Sequence, residues 1–141
     1  MFSLTCEHGI RSLIYLAKRD DSSNFISIRE ISNDLDIPFH FLTKVLQKLT
    51  EAGIIESSRG AKGGIRFLKK PEMIKLSEIV FAIDGEKTFS KCLIGLNKCD
   101  EQNPCVLHDL WMEPKRTVTS FLSKSTLNDL IIRLNNDKTR I

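Results

Sequence analysis

The sequence predicts a mainly α-helical chain with a small two-stranded β wing, arranged as a winged helix-turn-helix followed by a long helix. Three observations predict it. Three amphipathic segments with helical spacing follow one another between Leu4 and Ala52. A glycine-rich turn with Gly60, Gly63 and Gly64 then joins two short β-prone runs. A further helical pattern begins near Pro104 and lasts about five turns.

The first helix is expected from about Leu4 to Arg19, burying Ile10, Leu13, Ile14, Leu16 and Ala17 on one face. The polar run Asp20 to Asn24 breaks it. Ser27 and Glu30 have the spacing of a capping box, and a short helix continues through Ile28, Ile31 and Leu35. Pro38 suits a first helical turn, and the third helix runs from there to about Ala52 with Leu42, Val45, Leu46 and Leu49 as its inner stripe. Gly53 stops it. Strands starting at Ile54-Ile55 and spanning Ile65 to Leu68 form the hairpin, and Pro71 closes the unit. A short helix covers Leu76 to Ile83. The long helix holds Pro114, where a kink or shifted hydrogen bonding is expected. A last helix starts at Ser125, and the tail from Asn135 to Ile141 is expected to fray. The chain divides into a helix-turn-helix and wing unit at 1–84, a cysteine-containing loop at 85–104 and a part with the long and last helices at 105–141.

The 141 residues carry a net charge of only +3. The distribution matters more. Between Lys44 and Lys75 stand Lys44, Lys48, Arg59, Lys62, Arg66, Lys69, Lys70 and Lys75 against Glu51, Glu56 and Glu72, a basic sector suited to phosphates. A solvated lysine-rich face gives the same count. The third helix turns His40, Phe41, Thr43, Lys44, Gln47 and Lys48 outward, groups able to meet base edges in a major groove. Arg59 and Lys62 project from the wing tip, where glycine permits close backbone approach. An exposed Phe41 beside lysine favours a contact surface over a plain helix face. Double-stranded DNA is therefore the expected partner.

No apolar run approaches the roughly 20 residues that span a bilayer. The N-terminus lacks the features of a signal peptide, so a cytoplasmic protein with no membrane partner is expected. Thiols stay reduced there, and clustered cysteines read as metal-binding or redox-active. Cys92, Cys99 and Cys105 lie in KCLIGLNKCDEQNPCVLH, with His108 one helical turn beyond Cys105. Thiolates are soft ligands suited to iron–sulfur clusters, zinc and copper(I). Zinc sites usually hold cysteines two to four residues apart, whereas the intervening runs here are six and five residues. A cluster fits better, and a reversible Cys99–Cys105 disulfide is a further possibility. Catalysis is not expected: RGAKGG lacks the lysine and hydroxyl spacing of a phosphate loop, HExxH is absent, and Cys105 with His108 lacks an oxyanion hole.

The stretch IPFHFLTKVLQKLTEAGIIESSRGAKGGIRFL resembles the DNA-binding core of the Rrf-type winged-helix regulators, and HGIRSLIYLA and FLSKSTLNDLI resemble flanking segments of that family. The resemblance implies a homodimeric repressor whose long helix, about Cys105 to Lys124, crosses its partner's. Its seam would be Leu107, Leu110, Trp111, Val118 and Phe121, a stripe that an intramolecular core contact also explains. It implies DNA contacts from Ser27, Pro38, His40, Phe41, Thr43, Lys44 and Arg59. Some cluster-binding members carry Glu at the place of Thr43 to read cytosine, so their operators do not transfer to this chain. Cluster-binding members also carry three cysteines in this loop, which implies an iron–sulfur cluster on Cys92, Cys99 and Cys105, two-iron in preference to four-iron. Three thiolates leave one iron position for a weaker ligand. By the same resemblance that ligand is His108 or, from the first helix, Glu7, with Cys6 a lesser alternative.

Overall fold

The computed structural model describes residues 2–19, 24–89, 92–97, 99–136 and 141. The polar loop expected at 20–24 therefore lies outside the described residues except for Asn24, as does most of the tail expected to fray.

Helix α1 spans Leu4–Lys18, opened by Ser3, whose hydroxyl accepts the Cys6 backbone N–H at 3.0 Å. Gly9 lies on its inner side because nothing larger fits: a Cβ there would come 2.3 Å from Ile83 Cδ1. Helix α2 (Ile28–Leu35) ends at Asp36, whose left-handed backbone turns the chain sharply toward α3. The Ser32 hydroxyl donates to the Ile37 carbonyl at 2.6 Å and holds that turn. Helix α3 spans Phe39–Glu51, so Pro38 sits just outside it as the N-cap rather than in its first turn. Its stripe of Leu42, Val45, Leu46 and Leu49 is buried as the periodicity requires.

The capping box expected at Ser27 does not form. Ser27 precedes α2 but makes no side-chain cap bond, and Glu30 instead meets Arg19 at 2.6 Å and the Tyr15 hydroxyl. A box of the same kind opens the last helix. The Thr126 backbone N–H donates to Asp129 Oδ2 at 2.7 Å, and the Asp129 N–H returns to the Thr126 hydroxyl at 3.2 Å.

Strands β1 (Ile55–Ser58) and β2 (Gly64–Phe67) pair antiparallel, with Ile55 opposite Phe67 and Ser58 opposite Gly64. Ile26 lines the free edge of β2, exchanging backbone hydrogen bonds with Ile65 at 2.8 and 2.9 Å. This contact excludes a side chain at Gly64, where a Cβ would lie 2.0 Å from the Ile26 carbonyl oxygen. The wing is thereby pinned to the entry of α2.

A single 3₁₀ turn at Pro71–Met73 leads into α4 (Leu76–Asp84), and a second, Glu86–Phe89, leads toward the cysteine segment. Helix α5 spans His108–Lys124, one turn later than its expected start at Cys105, and runs through Pro114. Proline has no N–H for the Leu110 carbonyl. Helix α6 is Leu127–Asn136. Its start is stitched to the segment before α4: the Leu127 N–H donates to the Ile74 carbonyl at 2.8 Å, and the Leu76 N–H to the Ser125 carbonyl at 3.0 Å. One core joins α1 to α4 and the wing with Leu122 and Leu127. Among the described residues no helix is long and apolar enough to cross a membrane.

Candidate functional site

Two groups of residues carry chemistry. The first is the outer face of α3 with the wing tip. His40 and Lys44 project from α3, Arg59 and Lys62 from the turn between the strands, and Ser27 and Pro38 stand exposed at the helix entries. Thr43 is half-buried and donates its hydroxyl to the Phe39 carbonyl at 2.8 Å. Phe41 departs from expectation. It is half-buried, packed on the core, with its ring edge-on to His8 at 5.5 Å between centroids. It braces α3 against α1 and is not the exposed aromatic that the sequence led us to expect.

The basic sector is smaller than its count of charges. Arg66 pairs with Glu56 at 2.7 Å and Lys69 with Glu78 at 3.1 Å. Lys48 donates to the Ile83 carbonyl at 2.6 Å and Lys75 to the Lys124 carbonyl at 3.3 Å. Among the described residues, Lys44, Arg59, Lys62 and Lys70 are left with side chains that no neighbour engages. Arg29, overlooked in the sequence, lies over the Phe39 ring at 5.0 Å, beside the start of α3. Its place on the outer side of α2, two residues after Ser27, was the available signal.

The second group is sulfur. Cys92 and Cys105 bring their Sγ atoms to 3.5 Å, and Cys99 Sγ lies 3.5 Å from His108 Nδ1. Cys92 and His108 are buried, and Cys99 and Cys105 half-buried. The His108 N–H donates to the Cys105 carbonyl at 3.0 Å, so the turn that opens α5 sets both side chains. The Cys92 thiol titrates below its usual value. The Ile94 backbone N–H stabilises its thiolate most, then, against opposing desolvation, the Cys105 thiol, the Leu96 N–H and the Lys115 ammonium. Cys6 is the opposite case. Burial, aided by Asp84 and Glu7, pushes its thiol up to about 12, and it lies in the core as a small apolar side chain. Glu7 is exposed on α1, beside Cys6 in sequence.

Among the described residues, no three His, Cys, Asp or Glu side chains are gathered closely enough to hold a metal ion. The donors stand instead as two pairs. The disulfide partner of Cys105 favoured by this geometry is Cys92, not Cys99. In chemical kind, three thiols and an imidazole still suit an iron–sulfur cluster.

The stripe on α5 divides. Val118 packs on the chain's own core beside Leu122, while Leu110 is 75% and Phe121 55% exposed. Leu107 and Trp111 are half-buried.

A helix-turn-helix whose second helix presents a polar face, followed by a basic two-stranded wing, defines a winged-helix DNA-binding regulator. The sequence model of the Rrf2 family, described as an iron-dependent transcriptional regulator, matches residues 2–133, and the chain belongs to that family. It is 30% identical over 135 residues to the HTH-type transcriptional regulator NsrR of Bacillus licheniformis, covering 95% of this chain and 92% of that one. Its fold matches CymR, the global cysteine regulator of B. subtilis, with a TM-score of 0.77 and 25% identity over 93% of this chain and 95% of that one. It also matches an oxidized form of Staphylococcus aureus CymR, with a TM-score of 0.73 and 27% identity over 93% of this chain and 95% of that one. Members of this family are transcriptional regulators, not enzymes.

Proposed function

We propose that the chain is a homodimeric repressor whose operator affinity depends on the oxidation state of Cys92 and Cys105. The observation that carries this reading is the 3.5 Å approach of the two sulfurs, one at each end of the segment that leads into α5. Closing them to the 2.05 Å of a disulfide needs a small movement of that segment. The chemistry balances with a peroxide as oxidant. The Cys92 thiolate displaces hydroxide from hydrogen peroxide to give a sulfenic acid. The Cys105 thiolate then attacks that sulfur and releases a second hydroxide, each hydroxide taking up one thiol proton to leave as water. The DNA contacts in this reading are His40, Thr43 and Lys44 on α3, Ser27 and Pro38 at the helix entries, and Arg59 and Lys62 on the wing, with Phe41 holding α3 in place. The exposed Leu110 and Phe121 support pairing of α5 with a second copy. The similarity to an oxidized form of CymR supports a redox reading.

A second reading rests on the other pair. Cys99 facing His108 completes a set of three soft thiols and an imidazole, and the family description is iron-dependent. Cys92, Cys99, Cys105 and His108 would then hold an iron–sulfur cluster, which supplies a redox-sensitive group to the same segment. Glu7, exposed on α1, would serve from a second subunit.

One experiment separates the two. Protein is purified anaerobically, assayed for iron and acid-labile sulfide, then treated with peroxide and mapped by non-reducing mass spectrometry. A Cys92–Cys105 peptide from protein free of sulfide supports the thiol switch. Stoichiometric iron and sulfide, lost in Cys99→Ala, support the cluster instead.

A further inference from the structure

We propose that Lys48 is a positioning residue rather than a DNA contact: it straps the recognition helix to the end of α4, where the chain departs toward the cysteines. This deepens the functional reading above and rests on it. By sequence Lys48 belongs with Lys44, one turn earlier on α3. In the structure the two differ completely. Among the described residues Lys44 engages no neighbour, whereas the Lys48 ammonium donates to the backbone carbonyl of Ile83 at 2.6 Å, across 35 positions of sequence.

That carbonyl lies in the last turn of α4, where helix carbonyls lack intrahelical partners and a cation is favoured. Helix α4 supplies no basic residue of its own there. Lys48 therefore acts as a cap supplied by another helix. The same turn is gripped from other sides. The Ser3 backbone N–H donates to the Asp84 carboxylate at 3.0 Å, and the Ser3 hydroxyl donates to the same carboxylate. The Ile83 side chain fills the space over Gly9, with Val45 of α3 alongside. The junction of α1, α3 and α4 is thus closed around the point where α4 ends.

The chain just beyond α4 is tied down as well. The Thr88 hydroxyl bonds the carbonyls of Asp84 and Gly85 at 3.0 and 2.7 Å, and the Phe89 ring meets Phe2 and Phe81 edge-on at 6.2 Å. Cys92 comes three positions after Phe89. A short length of chain, braced as far as Phe89, therefore joins the thiol pair to the last turn of α4, and Lys48 joins that turn to the helix that reads DNA. A movement of the cysteine segment that tilts the end of α4 reaches α3 through this bond.

The test compares the wild type with Lys48→Met, Lys48→Arg and Lys44→Met. Fluorescence anisotropy on a duplex from the protein's own promoter region is measured across salt, with thiols reduced and after peroxide. Lys48→Met keeps the aliphatic stem and loses the donor. The strap predicts an unchanged salt slope for Lys48→Met and a reduced-to-oxidised affinity ratio collapsed to within about twofold, against the roughly 5- to 150-fold of ordinary coupling. Lys48→Arg restores the ratio. Lys44→Met does the reverse, lowering the slope by about 1.8, one contact from each subunit of the dimer, and keeping the ratio. A Lys48→Met protein with a slope lowered by about 1.8 and an intact ratio overturns the proposal. If the wild type shows no thiol-dependent ratio, the functional reading fails, and hydrogen exchange still decides the strap. Lys48→Met must then raise amide exchange at both the end of α3 and 84–89, and unchanged exchange there refutes it.

Discussion

The DNA-reading unit and the segment from Cys92 into α5 are built on opposite terms. In the first, Leu42, Val45, Leu49, Ile54, Ile55 and Ile65 are at most 1% exposed, and every element is pinned to at least one other. In the second, Leu93, Ile94, Leu96, Val106 and Leu110 all lie open to solvent, and α5 buries only His108 and Leu122. A rigid reader needs no help to hold its shape. An arm that exposes this much apolar surface is completed by something else, and its geometry is free to depend on what that is. The thiols sit on the open side of this division.

Substitutions on the two sides should behave differently. Leu46→Ala removes a buried side chain from α3 and should cost about 2–5 kcal/mol of unfolding free energy, read by urea titration. In the arm, Leu110→Asp should leave the helical circular dichroism intact and weaken self-association on the order of tenfold or more, read by sedimentation. Unchanged association would remove α5 from the dimer contact. Gly9→Ala returns to the rigid side. Its new methyl group meets Ile83, so overpacking of about 1–3 kcal/mol is expected in a thermal melt. Arg59→Ala should leave stability alone and lower the salt slope of DNA binding by about 1.8, one contact from each subunit, since its side chain has no internal partner among the described residues. The smallest effect is at the α6 cap. Hydrogen bonds from Thr126 hold the Asp129 carboxyl below its ordinary range. Its contribution to stability is present above the unfolded carboxylate pKa and disappears as pH falls through the lower folded value. Asp129→Asn should flatten that acid limb slightly in pH-dependent melts.

The rigid unit was largely legible in the sequence because its signals are local. The Leu42 to Leu49 stripe repeats at helical spacing, and the glycines of the wing announce a hairpin. The features that were not legible depend on distant neighbours. Phe41 is half-buried because it packs on the core, with His8 of α1 edge-on to its ring. Lys48, Arg66, Lys69 and Lys75 look alike as charges, yet each is committed to a partner that only the fold brings near. The box at Thr126 had the same spacing as the one expected at Ser27. The difference is that Arg19 and Tyr15 draw Glu30 away. The cysteine segment was recognisable as a site from its residue types. Which thiol faces which is set by the turn before α5, and that has no periodic signal.

The most direct test measures duplex affinity before and after peroxide, and again after dithiothreitol, for the wild type and for Cys92→Ser/Cys105→Ser. The wild type should change its affinity by at least about fivefold and recover on reduction, while the double variant stays constant. Equal affinity of the wild type in all three states, or a double variant that responds as strongly, contradicts control through this thiol pair.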